Sequence, residues 1–440
     1  MRRPADMLVT GNRPTGRRTT DRGREVTQDH ADIPAQPVAP RPAAGRRILE
    51  VDALRGFALG GILLVNILVM SGTHGRTAAD PAVAGADLVA HWLVTALVET
   101  KFYLLFSFLF GYSFSLQEES AQRAGAPFVP RMLRRLLGLF VLGALHMALL
   151  YSGDILTMYA VLGLVLLLVR NAAAERLRRA ARWVYAIPIG LLFLLGALAA
   201  LAPEPGPSER ARTARDAARL VSDMRGDAAD VVAANLSAWP DAVAALLLAG
   251  GSVVAAFLAG LVAGRRHLLT GGTAGPARLR RTRTIGLAVG LPGGIVMAAG
   301  TVAPLPERWE VLCYTVGLAT APALTAAYAS ALMLWFAGPR GARAAALLAP
   351  AGRMALTNYL CQSVVMALLF TGYGLGLYGR AGAAAAVAAA LALYAAQLFV
   401  SPRVLGRFRQ GPVEWLLRTV TLGRTPRNSG MWDGGPSGPR

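Results

Sequence analysis

Residues 137–156 read LGLFVLGALHMALLYSGDIL. An apolar run carries a single histidine, His146, breaks at Tyr151-Ser152-Gly153 and restarts behind Asp154 as a second apolar run. The pattern predicts two helices joined by a tight turn. Gly153 suits a helix end because it takes positive φ freely. Asp154 suits the N-cap of the next helix, where its carboxylate accepts a backbone N–H two or three residues on. His146 lies five residues before Tyr151, so at roughly 1.5 Å per residue it stands about 7 Å below the turn. Inside a membrane a polar side chain there is expensive and is a functional candidate by default. The plainer alternative is that His146 bonds across to another helix and that Asp154 only caps.

Composition supports the membrane reading. The chain has 440 residues, 54% hydrophobic and 16% charged, against about a quarter charged in soluble proteins. Apolar runs of about 17 residues or more recur along it, which means membrane spans rather than one large soluble core. The net charge of +20 is almost all arginine, with Lys101 the single lysine. These arginines sit in short segments between apolar runs, the positive-inside pattern. They lack the interleaved aromatics of a nucleic-acid platform, so no nucleic-acid partner is expected. The two cysteines, Cys313 and Cys361, are far apart in apolar surroundings and build neither a disulfide framework nor a metal motif.

In chain order, residues 1–47 hold ten arginines against five acids with no periodicity, a disordered basic tail without the h-region of a signal peptide. Ten spans follow, at 51–70, 102–117, 133–151, 155–169, 183–201, 243–262, 285–302, 311–336, 354–370 and 383–400. Residues 87–98 read as a short amphipathic piece in the interface, and 209–235 as a helix within the acidic segment 203–242. The transmembrane domain is therefore 48–402. Residues 403–440 form an amphipathic helix and tail, opened by Gly411-Pro412, with Trp415 as an interfacial anchor and Glu414 four residues before Arg418.

Basic segments at 1–47, 123–135, 170–182, 265–283, 338–353 and 403–409 alternate with weakly basic or acidic ones. An all-α, polytopic integral protein of the cell's cytoplasmic membrane, with ten spans and both termini cytoplasmic, satisfies every segment. That topology puts His74, Asn66 and the His146–Asp154 turn on the outer side. It makes Cys313, near the outer end of its span, the cysteine more open to an impermeant reagent.

Other polar groups stand out. Asp52 and Arg55 share a helical face at i, i+3 and can pair, or Arg55 can hold a phosphate. Glu99 and Lys101 do not face each other, and snorkelling at the membrane edge is one role for them. Asn358 and Gln362, at i, i+4, suit bonds between helices. Arg353, with Arg131, Arg134, Arg135, Arg265 and Arg266, makes a cytosolic basic rim, which fits either anionic membrane lipids or a nucleotide-bearing substrate.

Five stretches carry a resemblance. They are Val51-Asp52-Ala53-Leu54-Arg55-Gly56-Phe57-Ala58 continuing through Leu64-Val65-Asn66-Ile67; Lys101-Phe102…Leu105-Phe106-Ser107…Leu109-Phe110-Gly111; His146…Gly153-Asp154-Ile155-Leu156; Gly352-Arg353-Met354-Ala355-Leu356-Thr357-Asn358-Tyr359; and Arg409-Gln410-Gly411-Pro412-Val413-Glu414-Trp415. In this order, over roughly 48–422, the chain resembles the YeiB-like family, domain of unknown function 418. That family is similar to a wider group of transmembrane acyltransferases, which includes polysaccharide O-acetyltransferases and the heparan-alpha-glucosaminide N-acetyltransferase.

The resemblance implies an enzyme that takes an acyl group from cytosolic acyl-CoA, foremost acetyl-CoA, to an extracytoplasmic hydroxyl or amine of the cell envelope, with no metal. His146 would be the general base, Asp154 its orienting carboxylate and Asn66 a donor to the oxyanion. Arg55, Asp52, Arg353 and Lys101 would form the acyl-CoA site. At the position of Asn66 the O-acetyltransferases resemble one another in a histidine, whereas the heparan enzyme has asparagine and a histidine in the following outer segment, where this chain has His74. A transporter or flippase without covalent chemistry is the rival reading.

Overall fold

The structure, a computed structural model, describes residues 44–74, 85–204, 206–269, 275–302 and 305–423. Most of the expected N-terminal tail, Asp80, and the chain beyond residue 423 lie outside the described residues. The elements in order are α1 (Ala44–Met70), α2 (Ala86–Leu97), α3 (Lys101–Arg123), α4 (Phe128–Leu149), α5 (Ile155–Val169), α6 (Ala174–Leu201), α7 (Pro207–Arg225), α8 (Ala228–Ser237), α9 (Trp239–Arg265), α10 (Pro276–Thr301), a 3-10 turn (Glu307–Trp309), α11 (Glu310–Phe336), α12 (Pro339–Arg353), α13 (Ala355–Phe370), α14 (Ala383–Arg407) and α15 (Pro412–Leu422). Among the described residues there is no strand.

This is an all-helical integral membrane fold. Among the described residues, seven stretches are long and apolar enough to cross a membrane, α2 with α3 counting as one. The pair α12 and α13, bent by 75°, makes an eighth. Helix α5 and the apolar part of α9, Ala249–Arg265, are shorter; at about 1.5 Å per residue the 15 residues of α5 fall short of a hydrocarbon core roughly 30 Å thick. On α6, Trp183, Ile187, Leu191, Leu194, Leu198 and Leu201 recur at helical spacing and are all exposed, a stripe that suits lipid and not water.

Four segments depart from the sequence reading. Helix α2 does not lie in the interface: it packs against α10 and α14, and His91 is buried. Its Asp87 carboxylate accepts the Ala384 N–H at 2.8 Å, capping the start of α14. The stretch 209–235 is two helices, divided at Gly226 because Asp227 and Asp230 form a capping box that starts a new one. Residues 338–353 are a helix against α1, not a plain loop; a Cβ at Gly352 would lie 1.8 Å from the Asp52 carbonyl oxygen, so only glycine permits the approach. Helix α15 packs on α4 and α13, with Leu417 buried. Its Glu414 is committed to α13 rather than to Arg418: the carboxylate accepts the N–H groups of Leu356 and Thr357 at 2.8 and 3.0 Å and the Thr357 hydroxyl at 2.5 Å. These are the orphan donors of the first turn of α13, which has no N-cap side chain of its own.

The cysteines also differ from expectation. Cys313 is buried, whereas Cys361 is exposed on the face of α13 that carries Val364 and Leu368.

Candidate functional site

His146 and Asp154 meet. Asp154 is the N-cap of α5, its Oδ2 accepting the Thr157 N–H at 2.6 Å. Its other oxygen, Oδ1, stands 3.0 Å from His146 Nδ1, both side chains being almost fully shielded. The contact is at ion-pair distance, and neither atom has a hydrogen-bond partner among the described residues. The approach depends on α4: a Cβ at Gly143, one turn before His146, would lie 2.5 Å from Asp154 Oδ2 and 2.5 Å from Thr157 N.

The far side of the imidazole is also engaged. His146 Nε2 lies 2.8 Å from Ser363 Oγ on α13. The Ser363 hydroxyl has a second acceptor, the Tyr359 carbonyl, at 3.3 Å. One hydroxyl carries one proton, and the shorter contact is to the ring. Asp154, His146 and Ser363 thus form a carboxylate–imidazole–hydroxyl chain across three helices. Beside it, the Tyr359 ring centroid is 5.0 Å from that of His146. The Tyr359 hydroxyl is buried, makes no hydrogen bond of good geometry, and has the Ile155 N–H beside it.

Two cavities flank this chain. At the arginine-rich end lies a cavity of about 300 Å³, lined among others by Arg55, Ser113, Arg135, Arg353, Tyr359 and Glu414. Arg55 pairs with Asp52 and donates to Ser113. Arg353 donates to the Arg409 carbonyl at 3.2 Å. Arg135 makes no hydrogen bond or close ion pair among the described residues, and its charged neighbours are Arg55 and Glu414. Arg55, Arg135 and Arg353 outnumber the carboxylates of Asp52 and Glu414, so positive charge is left over for an anion.

At the opposite end a cavity of about 410 Å³ is lined by Asn66, His74, Glu99, Thr100, Tyr151 and Asp154 among others. Thr100 takes φ 68° at the break between α2 and α3, a strained conformation for a β-branched residue. Its buried hydroxyl has no hydrogen-bond partner among the described residues. Ile62 and Ile155 belong to the walls of both cavities.

The structure therefore groups the expected residues in two sets and leaves one apart. Arg55 and Arg353 line one cavity, with Asp52 paired to Arg55; Asp154, Asn66 and His74 line the other, and His146, which lines neither, touches Asp154. Lys101 joins neither set and does not snorkel. It is 1% exposed, its ammonium donating to the Thr95 carbonyl at 3.1 Å beside Met297 Sδ. Asn358 and Gln362 hold α13 to α14: Asn358 donates to Ser401 Oγ at 3.1 Å and Gln362 to Gln397 Oε1 at 2.7 Å. Sequence reasoning missed Ser363 and Tyr359 as members of the site, and named Arg135 only as one of a wider basic rim. Ser363 follows Gln362 on the same buried face of α13, and that polar stripe was the available signal. Among the described residues no three of His, Cys, Asp and Glu gather as a metal site.

Comparison with known proteins bears on the family resemblance. The chain is 30% identical over 394 residues to the uncharacterized protein YxaH of Bacillus subtilis (strain 168), covering 85% of this chain and 94% of that protein. It belongs to the DUF418 family. The family profile, described as "Protein of unknown function (DUF418)", matches residues 263–424, so it includes α13 with Tyr359 and Ser363 but not the α4–α5 turn. A second DUF418-like relative, the uncharacterized protein YeiB of Escherichia coli (strain K12), is 31% identical over 401 residues, covering 86% of this chain and 96% of that protein. An uncharacterized 39.9 kDa protein of Bacillus acidopullulyticus is 29% identical over 401 residues, 87% and 96% of the two chains. No solved structure matches this DUF418 chain.

Proposed function

We propose that this DUF418 protein is a membrane acyltransferase, moving an acyl group from cytosolic acyl-CoA, acetyl-CoA first, to a hydroxyl or amine on the far side. One observation carries the reading: two cavities open toward opposite ends of the bundle and share the Ile62 and Ile155 walls beside the Asp154–His146 pair. The arginine cavity suits the phosphates of CoA, through Arg55, Arg353 and Arg135. The opposite cavity, with Asn66, Glu99 and Asp154 on its walls, suits a polar acceptor. Asp154 Oδ1 beside Nδ1 favours the tautomer whose Nε2 carries no proton and can accept one, and general base catalysis of this kind contributes about 10²–10⁴-fold. In this reading the arginine-rich end faces the cytoplasm, α5 and the apolar part of α9 cross as short spans to complete ten crossings, and both termini are cytoplasmic.

The test uses purified protein in lipid nanodiscs. Acetyl-CoA should raise its thermal stability where adenosine does not, and radiolabel from acetyl-CoA should appear on an envelope-derived hydroxyl or amine. Failure to transfer from any acyl-CoA, together with solute uptake into proteoliposomes, would replace this reading by a transporter.

A further inference from the structure

Ser363 has no role in the chemistry above, yet it is the group His146 holds. Its hydroxyl is 2.8 Å from Nε2, and the opposite ring nitrogen is 3.0 Å from Asp154 Oδ1. A hydroxyl, an imidazole and a carboxylate in this order are what a nucleophilic serine requires: the base within reach of the hydroxyl, and a third group fixing the tautomer and stabilising the imidazolium. The surroundings add two elements. Ser363, 3% exposed, lies one helical turn beyond Tyr359 on the same face of α13, and Tyr359 lines the arginine cavity. The Tyr359 hydroxyl, buried and without a good hydrogen bond, is a donor available to a developing oxyanion.

We infer that Ser363 is the acyl-carrying nucleophile, so that the acyl group rests on the protein between its donor and its acceptor. The inference builds on the acyltransferase reading and changes its mechanism from direct transfer to two half-reactions. In the first, His146 Nε2 takes the Ser363 hydroxyl proton as Oγ bonds to the thioester carbonyl carbon. The C–S bond breaks, and the departing CoA sulfur receives that proton from Nε2. In the second, Nε2 takes a proton from the acceptor O–H or N–H as that oxygen or nitrogen attacks the ester carbonyl. The C–Oγ bond breaks and Oγ is reprotonated by Nε2. No oxidant, reductant or metal enters either balance. The arrangement suits a membrane enzyme, because the two substrates need never occupy the site together: CoA leaves on its own side before the acceptor is engaged.

The exchange and adduct readouts need no knowledge of the acceptor; the transfer readout uses the envelope-derived acceptor of the preceding test. Wild-type protein is incubated with acetyl-CoA and radiolabelled free CoA, and exchange of label into acetyl-CoA is followed. Intact-protein and peptide mass spectrometry then look for an acetyl group. The expected result is exchange, with one acetyl group on the peptide that carries Ser363. Ser363→Ala should abolish both while keeping thermal stabilisation by acetyl-CoA. Ser363→Cys should hold the acetyl group as a thioester, which controls against a folding defect. Acetyl transfer to an acceptor without exchange or adduct, or transfer by Ser363→Ala within a few-fold of wild type, would overturn the covalent step and leave the acyltransferase reading standing. Acetyl found on His146 instead would overturn Ser363 as the carrier. A wild type that neither exchanges, acquires an acetyl group nor transfers one would sink both.

Discussion

Asp154 Oδ2 occupies space that a side chain on Gly143 would fill: a Cβ there would lie 2.5 Å from the carboxylate oxygen. The carboxylate reaches His146 because α4 presents bare backbone one turn earlier. Sequence distance hides this, since the two residues are joined only by the fold-back at Gly153.

Gly143→Ala should therefore push the α5 N-terminus off α4. Overpacking of this kind costs about 1–3 kcal/mol, and transfer should fall with stability. Gly163→Ala is the control, because the Cβ there would meet only the flexible Leu136 side chain, its Cδ2 at 2.7 Å. Thermal unfolding and activity of the two variants side by side decide the matter. Equal, mild effects would mean the close approach is not used.

His146→Gln should insert, express and bind acetyl-CoA like wild type while losing transfer. Asp154→Asn should lose less, roughly 10²–10⁴-fold, as orienting carboxylates do. His74→Ala should stay within a few-fold of wild type in kcat, because His74, though it lines the same cavity as Asp154, is exposed and is not part of the Asp154–His146–Ser363 chain. A dead His74→Ala beside a fully active His146→Gln would reverse the roles.

Much of this was legible in sequence. The 137–156 stretch gives the helix–turn–helix with Asp154 as cap, and apolar run lengths give a polytopic helical membrane protein. Other features were not legible, for physical reasons. Ser363 meets His146 through contact between α4 and α13, 217 positions apart, and no local period encodes that. Glu414 looked like one half of an i, i+4 pair with Arg418, since spacing reports only same-helix neighbours; tertiary packing turns it to α13 instead. Lys101 looked like an edge residue because it opens an apolar run, but the break at Thr100 carries it into the interior.

Arg135→Ala and Arg353→Ala should each weaken acetyl-CoA binding several-fold with little change in kcat at saturation, and the double variant should lose more. A guanidinium–phosphate contact contributes mostly to binding that is equal in ground and transition states. Titration calorimetry in detergent checks it, with adenosine as the ligand expected to be indifferent to either change.

Topology is accessible through new cysteines. In a Cys313→Ser, Cys361→Ser background, Ser208→Cys on exposed α7 should react with an impermeant maleimide on intact cells. Ala180→Cys, exposed near the arginine-rich start of α6, should react only after permeabilisation. The unaltered protein should label at neither native cysteine, since Cys313 is buried and Cys361 sits on the apolar face of α13. A cytoplasmic reporter fused after residue 425 should remain inside; the opposite outcome would mean an odd number of crossings.

The carboxylate that starts α13 belongs to α15, 58 residues later. During synthesis, then, the ribosome releases the 355–370 segment well before its cap exists. Until residue 414 emerges, the first turn of that helix must hold its N–H groups against water or lipid headgroups. A chain that stops short of α15 leaves the helix carrying Tyr359 and Ser363 without its anchor. Placement of Tyr359 and Ser363 thus waits on a residue synthesised after them.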